Sequence, residues 1–347
     1  MKAIKKGFIH PSAALTIPGR QVATYARPEG RPQVGDVVYG EIVRIAQHSS
    51  LENVSGRIHA IHNGSRAIFV YGNRYAPDHY EGIVPEAFTE EIALIARSGV
   101  VGALKTKNSF MKDPTTVRIL GRVHDLNGRP LNTRDFPAIS PRSIEKKTPR
   151  ARMILICGTS MNSGKSSAAA ACCWALSTLG YNVRASKVTG TASLKDILHM
   201  NDAGAAPYAD FTYLGYPSTY LLPDEDVFRI FDTLDLKYAN NPRNFWVVEI
   251  ADGIAQRETA LLLSSARVTS RIFRLIFCAT DAFSAIGGLG VLRERFGLVP
   301  DAVSGICSSS PLHLRELAEF ASVPVFDSIN TDLHQLASLL LGKRNGG

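Results

Sequence analysis

The ten residues from Gly158 to Ser167, Gly-Thr-Ser-Met-Asn-Ser-Gly-Lys-Ser-Ser, constrain the fold more than any other part of this sequence. They follow an apolar run at 153–157 and precede an alanine-rich run at 166–179 that ends at Gly180. The first run is typical of a buried parallel strand and the second of a helix. Strand, glycine-rich turn and helix form the setting of a phosphate-binding loop, with the usual pattern G-x-x-x-x-G-K-[ST]. Here five residues separate the glycines instead of four.

The residue types of this stretch suit the binding of phosphate groups. Gly158 and Gly164 allow the backbone to turn its N–H groups toward one point, and the helix N-terminus adds partial positive charge. Lys165 would reach the outer phosphates, and the Ser166 hydroxyl would ligate Mg²⁺. We therefore expect a nucleotide to contact Gly158, Thr159, Ser160, Asn162, Ser163, Gly164, Lys165, Ser166 and Ser167. An ordinary Gly/Ser turn with a surface lysine is the alternative, and it would require several independent signals to coincide.

The two halves of the chain have different sequence patterns. Residues 151–347 alternate apolar strand-like runs with helical patterns, which predicts a doubly wound, mostly parallel α/β sheet. Residues 1–135 contain short strand-like segments, which predict a smaller, mostly-β domain, either a barrel or a sandwich. In this first half we expect a hairpin at Asn63-Gly64 and one helix over 86–97. Residues 136–150 hold three prolines and little periodicity, and we interpret them as a linker.

Two further segments stand where strands of the predicted sheet end. A lysine with hydroxyl and glycine neighbours follows the second strand, in the order Lys187-Val-Thr189-Gly190-Thr191. The run at 245–248 ends in Glu249, where an acid that contacts Mg²⁺ belongs in this kind of enzyme. Because the carboxyl ends of parallel strands meet at one edge, these residues are expected to lie near the phosphate loop. Asp196 or Asp202, in the segment after Lys187, is a further candidate for polarising water or holding the metal.

Taken together, these motifs resemble dethiobiotin synthetase and the related amidating cobyrinate synthases, in the MinD-like (SIMIBI) class of P-loop proteins. The resemblance covers about residues 152–330. It implies that Lys165, Lys187 and Glu249 are catalytic, that Ser166 and Glu249 hold Mg²⁺, and that Lys187 stabilises a carboxylate or carbamate and the transferred phosphoryl group. ATP would be the nucleotide, with GTP as the alternative. Such enzymes phosphorylate a small anionic substrate, other members of the class are hydrolytic switches, and homodimers are common.

The sequence also departs from these relatives. Ser160 stands where dethiobiotin synthetase has an acid, and neither Thr159 nor Ser160 is the extra lysine of the MinD-type ATPases. The segment 305–310 occupies the place of an adenine-reading motif without matching one. Biotin synthesis itself is therefore not expected. Thr189, Gly190, Thr191, Asp252 and Arg257 are candidate substrate residues, although Asp252 to Glu258 also fits the capped start of a helix.

Charge and cysteine content narrow the remaining classes. Residues 1–150 carry a net charge of +9 and residues 151–347 a net charge of −1, so the basic character belongs to the first half. This favours either an anionic partner or a solvated surface, and it leaves nucleic-acid binding open as a weaker alternative. The five cysteines lack metal-ligand spacing and are interpreted as buried hydrophobes. A cytoplasmic protein without membrane contact is expected. A nucleotide-controlled switch, in which the basic β domain engages a macromolecule, is the competing functional hypothesis.

Overall fold

The computed structural model describes residues 1–5, 7–140 and 145–342. Pro141 of the expected linker and the last five residues of the chain lie outside this range. The chain divides into two compact units. The β-rich unit consists of Met1–Pro141, Gly190–Lys195 and Phe211–Leu222, and the α/β unit consists of Arg142–Thr189, Asp196–Asp210 and Pro223–Gly347. Two short segments from the second half of the sequence therefore belong to the β-rich unit.

The β-rich unit contains eleven described strands. They are β1 (Lys2–Ala3), β2 (Thr24–Ala26), β3 (Val37–Arg44), β4 (Ser50–Glu52), β5 (Ile58–Ala60), β6 (Arg66–Tyr71), β7 (Arg74–Tyr75), β8 (Tyr80–Ile83), β9 (Glu91–Ala96), β10 (Val100–Lys107) and β11 (Thr115–His124). Strands β11, β3, β6 and β10 are neighbours in this order, and β9 pairs with both β10 and β11. The five strands therefore close into a ring. The sequence left barrel and sandwich open, and the pairing decides for the barrel.

Each strand of this barrel contributes to one apolar cluster. Ile42, Phe69, Leu94, Val101 and Val117, one from each of the five strands, belong to a single group of fully buried side chains. Successive residues of a strand point to opposite faces. Accordingly, the neighbouring residues on these strands form a second cluster, which is covered by side chains of the first 25 residues. Strand β6 is buried along nearly its whole length and reads as an apolar run, whereas buried and less buried residues alternate along parts of β11.

Two predictions for the first half are wrong. The segment 86–97 is not a helix: its second part is strand β9, which pairs with β10 and β11 and buries both faces. Tertiary pairing overrides the helical spacing of its apolar residues. At Asn63-Gly64 a turn does form, with Ser65 N donating to His62 O at 2.9 Å. Its flanking strands do not form a hairpin, however, because β5 pairs with β4 and β6 pairs with β3.

The α/β unit is built on a six-stranded sheet. Its strands are β12 (Arg152–Gly158), β13 (Asn182–Lys187), β14 (Tyr208–Asp210), β15 (Asn244–Glu249), β16 (Ile272–Cys278) and β17 (Ala302–Ser304). The order across the sheet is β14-β13-β15-β12-β16-β17, and every pair is parallel. From β12 the chain runs first toward one edge and later toward the other. Since parallel crossovers are right-handed, the connections lie on both faces of the sheet. The predicted α/β fold class is confirmed.

The described residues form eight helices, of which the first six lie between strands of this sheet and the last two follow β17. They are α1 (Lys165–Thr178), α2 (Leu194–Asp202), α3 (Asp224–Tyr238), α4 (Arg257–Leu263), α5 (Ala266–Thr269), α6 (Ala282–Phe296), α7 (Pro311–Phe320) and α8 (Leu333–Leu341). Short 3₁₀ turns lie at Ser12–Ala14, Gly19–Gln21, Thr133–Asp135, Phe211–Leu214 and Ile306–Ser309. Beyond β17, Val325 forms an isolated bridge with Val303. Across residues 1–5, 7–140 and 145–342, none of the helices combines the length and apolar character that crossing a membrane requires.

Candidate functional site

The glycine-rich loop lies between β12 and α1, as the sequence predicts. Strand β12 ends at Gly158 and α1 begins at Lys165. Gly164 precedes the helix with a φ of 91°, in the left-handed region that glycine adopts without strain. No side chain caps the N-terminus of α1. Ser166 and Ser167 lie in its first turn, where backbone N–H groups lack helical partners and can donate to an anion.

The segments that follow two neighbouring strands hold the first part of the loop. Thr159 N donates to Cys278 O of β16 at 2.9 Å, and Ile254 N donates to Gly158 O at 2.9 Å. These bonds fix the point at which the chain leaves β12. The loop is therefore pre-formed by backbone contacts, which lowers the ordering cost of binding a ligand.

Two glycines allow this close packing. A β-carbon at Gly253 would lie 2.3 Å from Thr159 O, and one at Gly305 would lie 2.2 Å from Ser163 O. Ile306 N also donates to Ser163 O at 3.3 Å. Each glycine follows a strand of the sheet and touches one half of the loop. Neither glycine was predicted to support the loop. The signal was a glycine soon after each of the strands β15 and β17.

Lys165 is folded back over its own loop. Its Nζ donates to Ser160 O at 2.6 Å and lies 3.4 Å from Ser163 Oγ. The residue is 5% exposed. A buried ammonium group held by loop oxygens places a positive charge within the glycine-rich loop. That is the arrangement expected of an anion site.

Glu249 lies beside this loop. It ends β15, where it pairs in register with Ile156 of β12 and with Lys187 of β13. Glu249 is 1% exposed, and its Oε2 atom has no hydrogen-bond partner among the residues that the structure describes. Buried carboxylate oxygens are normally paired with a donor or a metal ion. The orphaned oxygen therefore fits a carboxylate that receives a ligand from the direction of the loop.

Lys187 contacts two carboxylates at the carboxyl ends of the sheet strands. Its Nζ donates to Asp196 Oδ2 in α2 and lies 3.4 Å from Glu249 Oε1. Burial alone would lower the pKa of Lys187, but the negative charges of Asp196, Glu249 and Asp252 outweigh it and raise that pKa. Lys187 is thus a fixed cation at neutral pH. The structure places Lys187 in contact with Asp196 and Glu249, and it places Lys165 in the loop that follows β12, the strand next to β15.

The residues present suit Mg²⁺ with few protein ligands. Glu249 supplies an unpartnered oxygen, and Ser166 lies in the first turn of α1. Within 1–5, 7–140 and 145–342, three or more His, Cys, Asp or Glu side chains nowhere assemble into a metal site. Magnesium bound with a nucleotide takes one or two protein ligands and several waters, so a full protein cage is not required.

Of the five candidate substrate residues, two lie near this edge. Thr189 Oγ1 donates to Ala251 O and accepts from Ala251 N at 2.9 Å, which ties the end of β13 to the segment after β15. The Asp252 carboxylate acts on the pKa of Lys187. Gly190 and Thr191 belong to the β-rich unit.

Arg257 is engaged in helix contacts. Its guanidinium donates to Asp224 of α3 and, at 2.7 Å, to Glu258 Oε1. The N-cap of α4 is Gln256, whose Oε1 accepts from Thr259 N at 3.0 Å. The capped helix start that the sequence allowed at Asp252 to Glu258 therefore begins at Gln256. This position follows from the chain, which first returns to the loop through Ile254 before α4 begins.

All five cysteines are buried and free of disulfides, as expected of small apolar residues. Burial raises the pKa of Cys157 and of Cys172 to about 12. Thiols with such pKa values are not nucleophiles at neutral pH. The cysteines beside the loop therefore serve as packing groups.

Two cavities of the α/β unit have no residue of the glycine-rich loop in their lining. One of about 1530 Å³ is lined by Ile272, Arg274 and Pro324, and a second of about 450 Å³ shares Pro324. Ile272 begins β16, whereas Cys278, which pairs with Gly158, ends it. At about 3.3 Å per residue these positions are roughly 20 Å apart. In parallel sheets ligands bind at the carboxyl ends of the strands, so size alone does not identify the site.

Comparison with known proteins adds little. No model of a known protein family matches the sequence, and no curated protein matches it. Among solved structures, the chain is similar to the signal recognition particle receptor FtsY from Elizabethkingia anophelis in complex with GDP, at 11% identity over 60% of this chain and 68% of that chain, with a TM-score of 0.37. It is also similar to FtsY from Mycoplasma mycoides, at 12% identity over 60% and 71% of the two chains, with a TM-score of 0.33. Likenesses this weak carry no argument, and they lend no support to a dethiobiotin-synthetase identity. The fold class rests on strand order and register.

Proposed function

We propose that this protein is a Mg²⁺-dependent P-loop enzyme that uses ATP to phosphorylate a carboxylate or carbamate-like substrate. The observation that carries the proposal is Lys187. It is a buried cation between Asp196 and Glu249 at the sheet edge where the glycine-rich loop lies. A loop that binds phosphate needs one lysine. A second lysine, on β13, suits the neutralisation of an acceptor anion.

Nucleotide binding follows from the loop itself. The uncapped N-terminus of α1 and the enclosed ammonium of Lys165 offer N–H donors and positive charge to the β- and γ-phosphates. On binding, Lys165 would exchange its bond to Ser160 O for a bond to phosphate. That exchange needs only a side-chain rotation, because the backbone around the loop is already held by Cys278 and Ile254.

The proposed reaction is an in-line phosphoryl transfer. A bond forms between a substrate carboxylate oxygen and the γ-phosphorus while the bond from that phosphorus to the β,γ-bridging oxygen breaks. The products are ADP and a mixed acyl phosphate, and no proton is transferred. Lys165 and Lys187 would stabilise the negative charge on the transferred group. Removing one such donor typically costs about 10²- to 10³-fold in turnover.

Mg²⁺ would be held by Ser166 and by the free oxygen of Glu249. When bound, the ion would neutralise negative charge on the phosphates of the nucleotide. Asp196 keeps Lys187 protonated and directed toward Glu249. The residues of the chain thus divide into phosphate binding (Lys165), acceptor binding (Lys187) and orientation (Asp196).

Two alanine variants and one control test the proposal. Lys165→Ala should abolish Mg²⁺-dependent ATP turnover, measured as phosphate release. Lys187→Ala should leave nucleotide affinity within about threefold and lower turnover by about 10²-fold or more. Lys195→Ala removes the same charge from an exposed position nearby and should change neither quantity.

Thermal unfolding shows whether each variant folds. Lys187→Gln serves as a second variant, since removing Lys187 leaves Asp196 and Glu249 without their cation. Normal turnover in a folded Lys187 variant would overturn its role. Normal turnover in Lys165→Ala would overturn the assignment of the loop. Turnover of GTP in place of ATP would change the nucleotide and leave the chemistry intact.

A second candidate function is a nucleotide-controlled switch. The observation that favours it is the membership of Gly190–Lys195, directly after Thr189, in the β-rich unit. Stimulation of hydrolysis by small carboxylates or carbamates would support the enzyme. Stimulation by a macromolecule alone would support the switch.

A further inference from the structure

Helix α2 begins on a carboxylate that comes from far away in the sequence. Glu52 ends strand β4 and is 2% exposed. Its Oε2 accepts the backbone N–H of Leu194 at 3.0 Å and the hydroxyl of Ser12 at 2.5 Å. Leu194 is the first residue of α2. A residue from the barrel's own part of the chain thus fixes the first turn of a helix in the second half.

This placement suits a carboxylate. The first N–H groups of a helix have no partner inside the helix, and negative charge is favourable at this end. The segment before Leu194 is fixed as well. Gly190 N donates to Thr219 Oγ1, and Ala192 N donates to Pro217 O, both at 2.9 Å. The start of α2 is therefore an ordered anchor.

Two residues later, the same helix turn carries a member of the candidate site. Asp196 lies in the first turn of α2 and pairs with Lys187. Lys187 in turn lies 3.4 Å from Glu249. A displacement of the start of α2 would move the carboxylate that directs Lys187. Leu194 and Asp196 lie within one helical turn, which rises about 5.4 Å. A displacement of Leu194 therefore moves Asp196 with it.

From these contacts we infer that Glu52 is a positioning residue for phosphoryl transfer. It holds the first turn of α2 and so fixes the Asp196 carboxylate that orients Lys187. Glu52 itself touches neither nucleotide nor acceptor. The inference rests on the proposed function.

The test is a double-mutant cycle on Glu52 and Asp196. Steady-state turnover of ATP with Mg²⁺ and nucleotide affinity are measured for Glu52→Ala, Asp196→Ala and the double variant. Glu52→Gln keeps a neutral acceptor for the Leu194 N–H. Ser12→Ala is the matched control, since it removes the other hydrogen bond to Glu52 and leaves the one to Leu194. Running the cycle with Glu52→Gln as well makes the result independent of whether Glu52→Ala folds.

We expect Glu52→Ala to lower kcat about tenfold while KM and nucleotide affinity stay within about twofold, and Glu52→Gln to recover part of the loss. The double variant should turn over no more slowly than Asp196→Ala, because contacting residues of one network are not additive. Ser12→Ala should resemble the wild type. Losses that multiply, a loss confined to nucleotide affinity, or an equal loss in Ser12→Ala would overturn the inference. If Lys165→Ala abolishes turnover and the Glu52 variants do not alter it, the inference alone fails. If Lys165→Ala turns over normally, the proposed function fails with it.

Discussion

Replacing Gly253 by alanine tests whether the segment after β15 shapes the glycine-rich loop. The added β-carbon would lie 2.3 Å from Thr159 O, 2.9 Å from Thr159 C and 3.1 Å from Ser160 Cα. All three are backbone atoms of the loop, so no side-chain rotation relieves the overlap. The φ of Gly253 lies outside the left-handed region, and alanine therefore carries no conformational penalty of its own. Any effect must come from displacing the loop.

The size of the effect follows from the geometry. The closest contact is about 1 Å short of ordinary van der Waals separation, so the loop must move by about that distance. Overpacking of this kind costs about 1–3 kcal/mol of unfolding free energy. A misplacement of about 1 Å in a site can cost about 10²-fold in rate. We expect Gly253→Ala to lower the free energy of unfolding by about 1–3 kcal/mol and to weaken nucleotide binding at least about tenfold.

The matched control is Gly287→Ala in the middle of α6. A β-carbon there meets no atom within 4 Å. Because glycine is unfavourable inside a helix, this change should stabilise the protein by about 0.5–1 kcal/mol and leave nucleotide binding unchanged. Urea denaturation and titration with a fluorescent ATP analogue measure the two effects. Wild-type affinity in Gly253→Ala would refute the claim that this glycine shapes the loop.

Two further predictions concern other parts of the fold. Burial, followed by the nearby charge of Arg74, lowers the pKa of His48 to about 4. In the unfolded chain, the His48 side chain takes up a proton near pH 6.5. As the pH falls below that value, the free energy of unfolding therefore decreases, by about 3 kcal/mol at most at pH 4. His48→Gln should flatten the pH dependence of the urea midpoint between pH 7 and 4.5, and an equal slope would contradict this. Asp281 Oδ1 accepts from Ser284 N at 2.8 Å in a capping box at the start of α6. Asp281→Ala should cost about 1 kcal/mol and Asp281→Asn less, and equal losses in thermal unfolding would exclude the cap.

The sequence predicted the α/β unit well because its signals are local. The apolar run before Gly158 and the alanine-rich run after Lys165 each form one element, as predicted. Glu249 could be placed because an acid at the end of an apolar strand must lie at the edge where the loop lies. These inferences need only the periodicity of one segment and the rule for parallel sheets.

Other features depend on residues far apart in the sequence. The segment 91–96 spaces its apolar residues like a helix, yet as β9 it closes the barrel between β10 and β11. Its pairing partners, not its own pattern, decide its structure. Likewise nothing near Leu194 in the sequence indicates that Glu52 receives its N–H group. The role of Gly253 and Gly305 could not be predicted for the same reason, because it depends on the loop that packs against them.

The division of the chain into units bears on how this protein could be dissected or recombined. The backbone passes from one unit to the other after residues 141, 189, 195, 210 and 222. A single cut at 136–150 would therefore separate Gly190–Lys195 and Phe211–Leu222 from the residues that order them. Glu52 and Thr133 are two of these hydrogen-bond partners. Ala192, Leu194 and Phe211, all at least 97% buried in the intact chain, would then face water. Neither half of the sequence can therefore be transferred on its own. A gene fusion that exchanged one half for a homologous domain would also have to include Gly190–Lys195 and Phe211–Leu222.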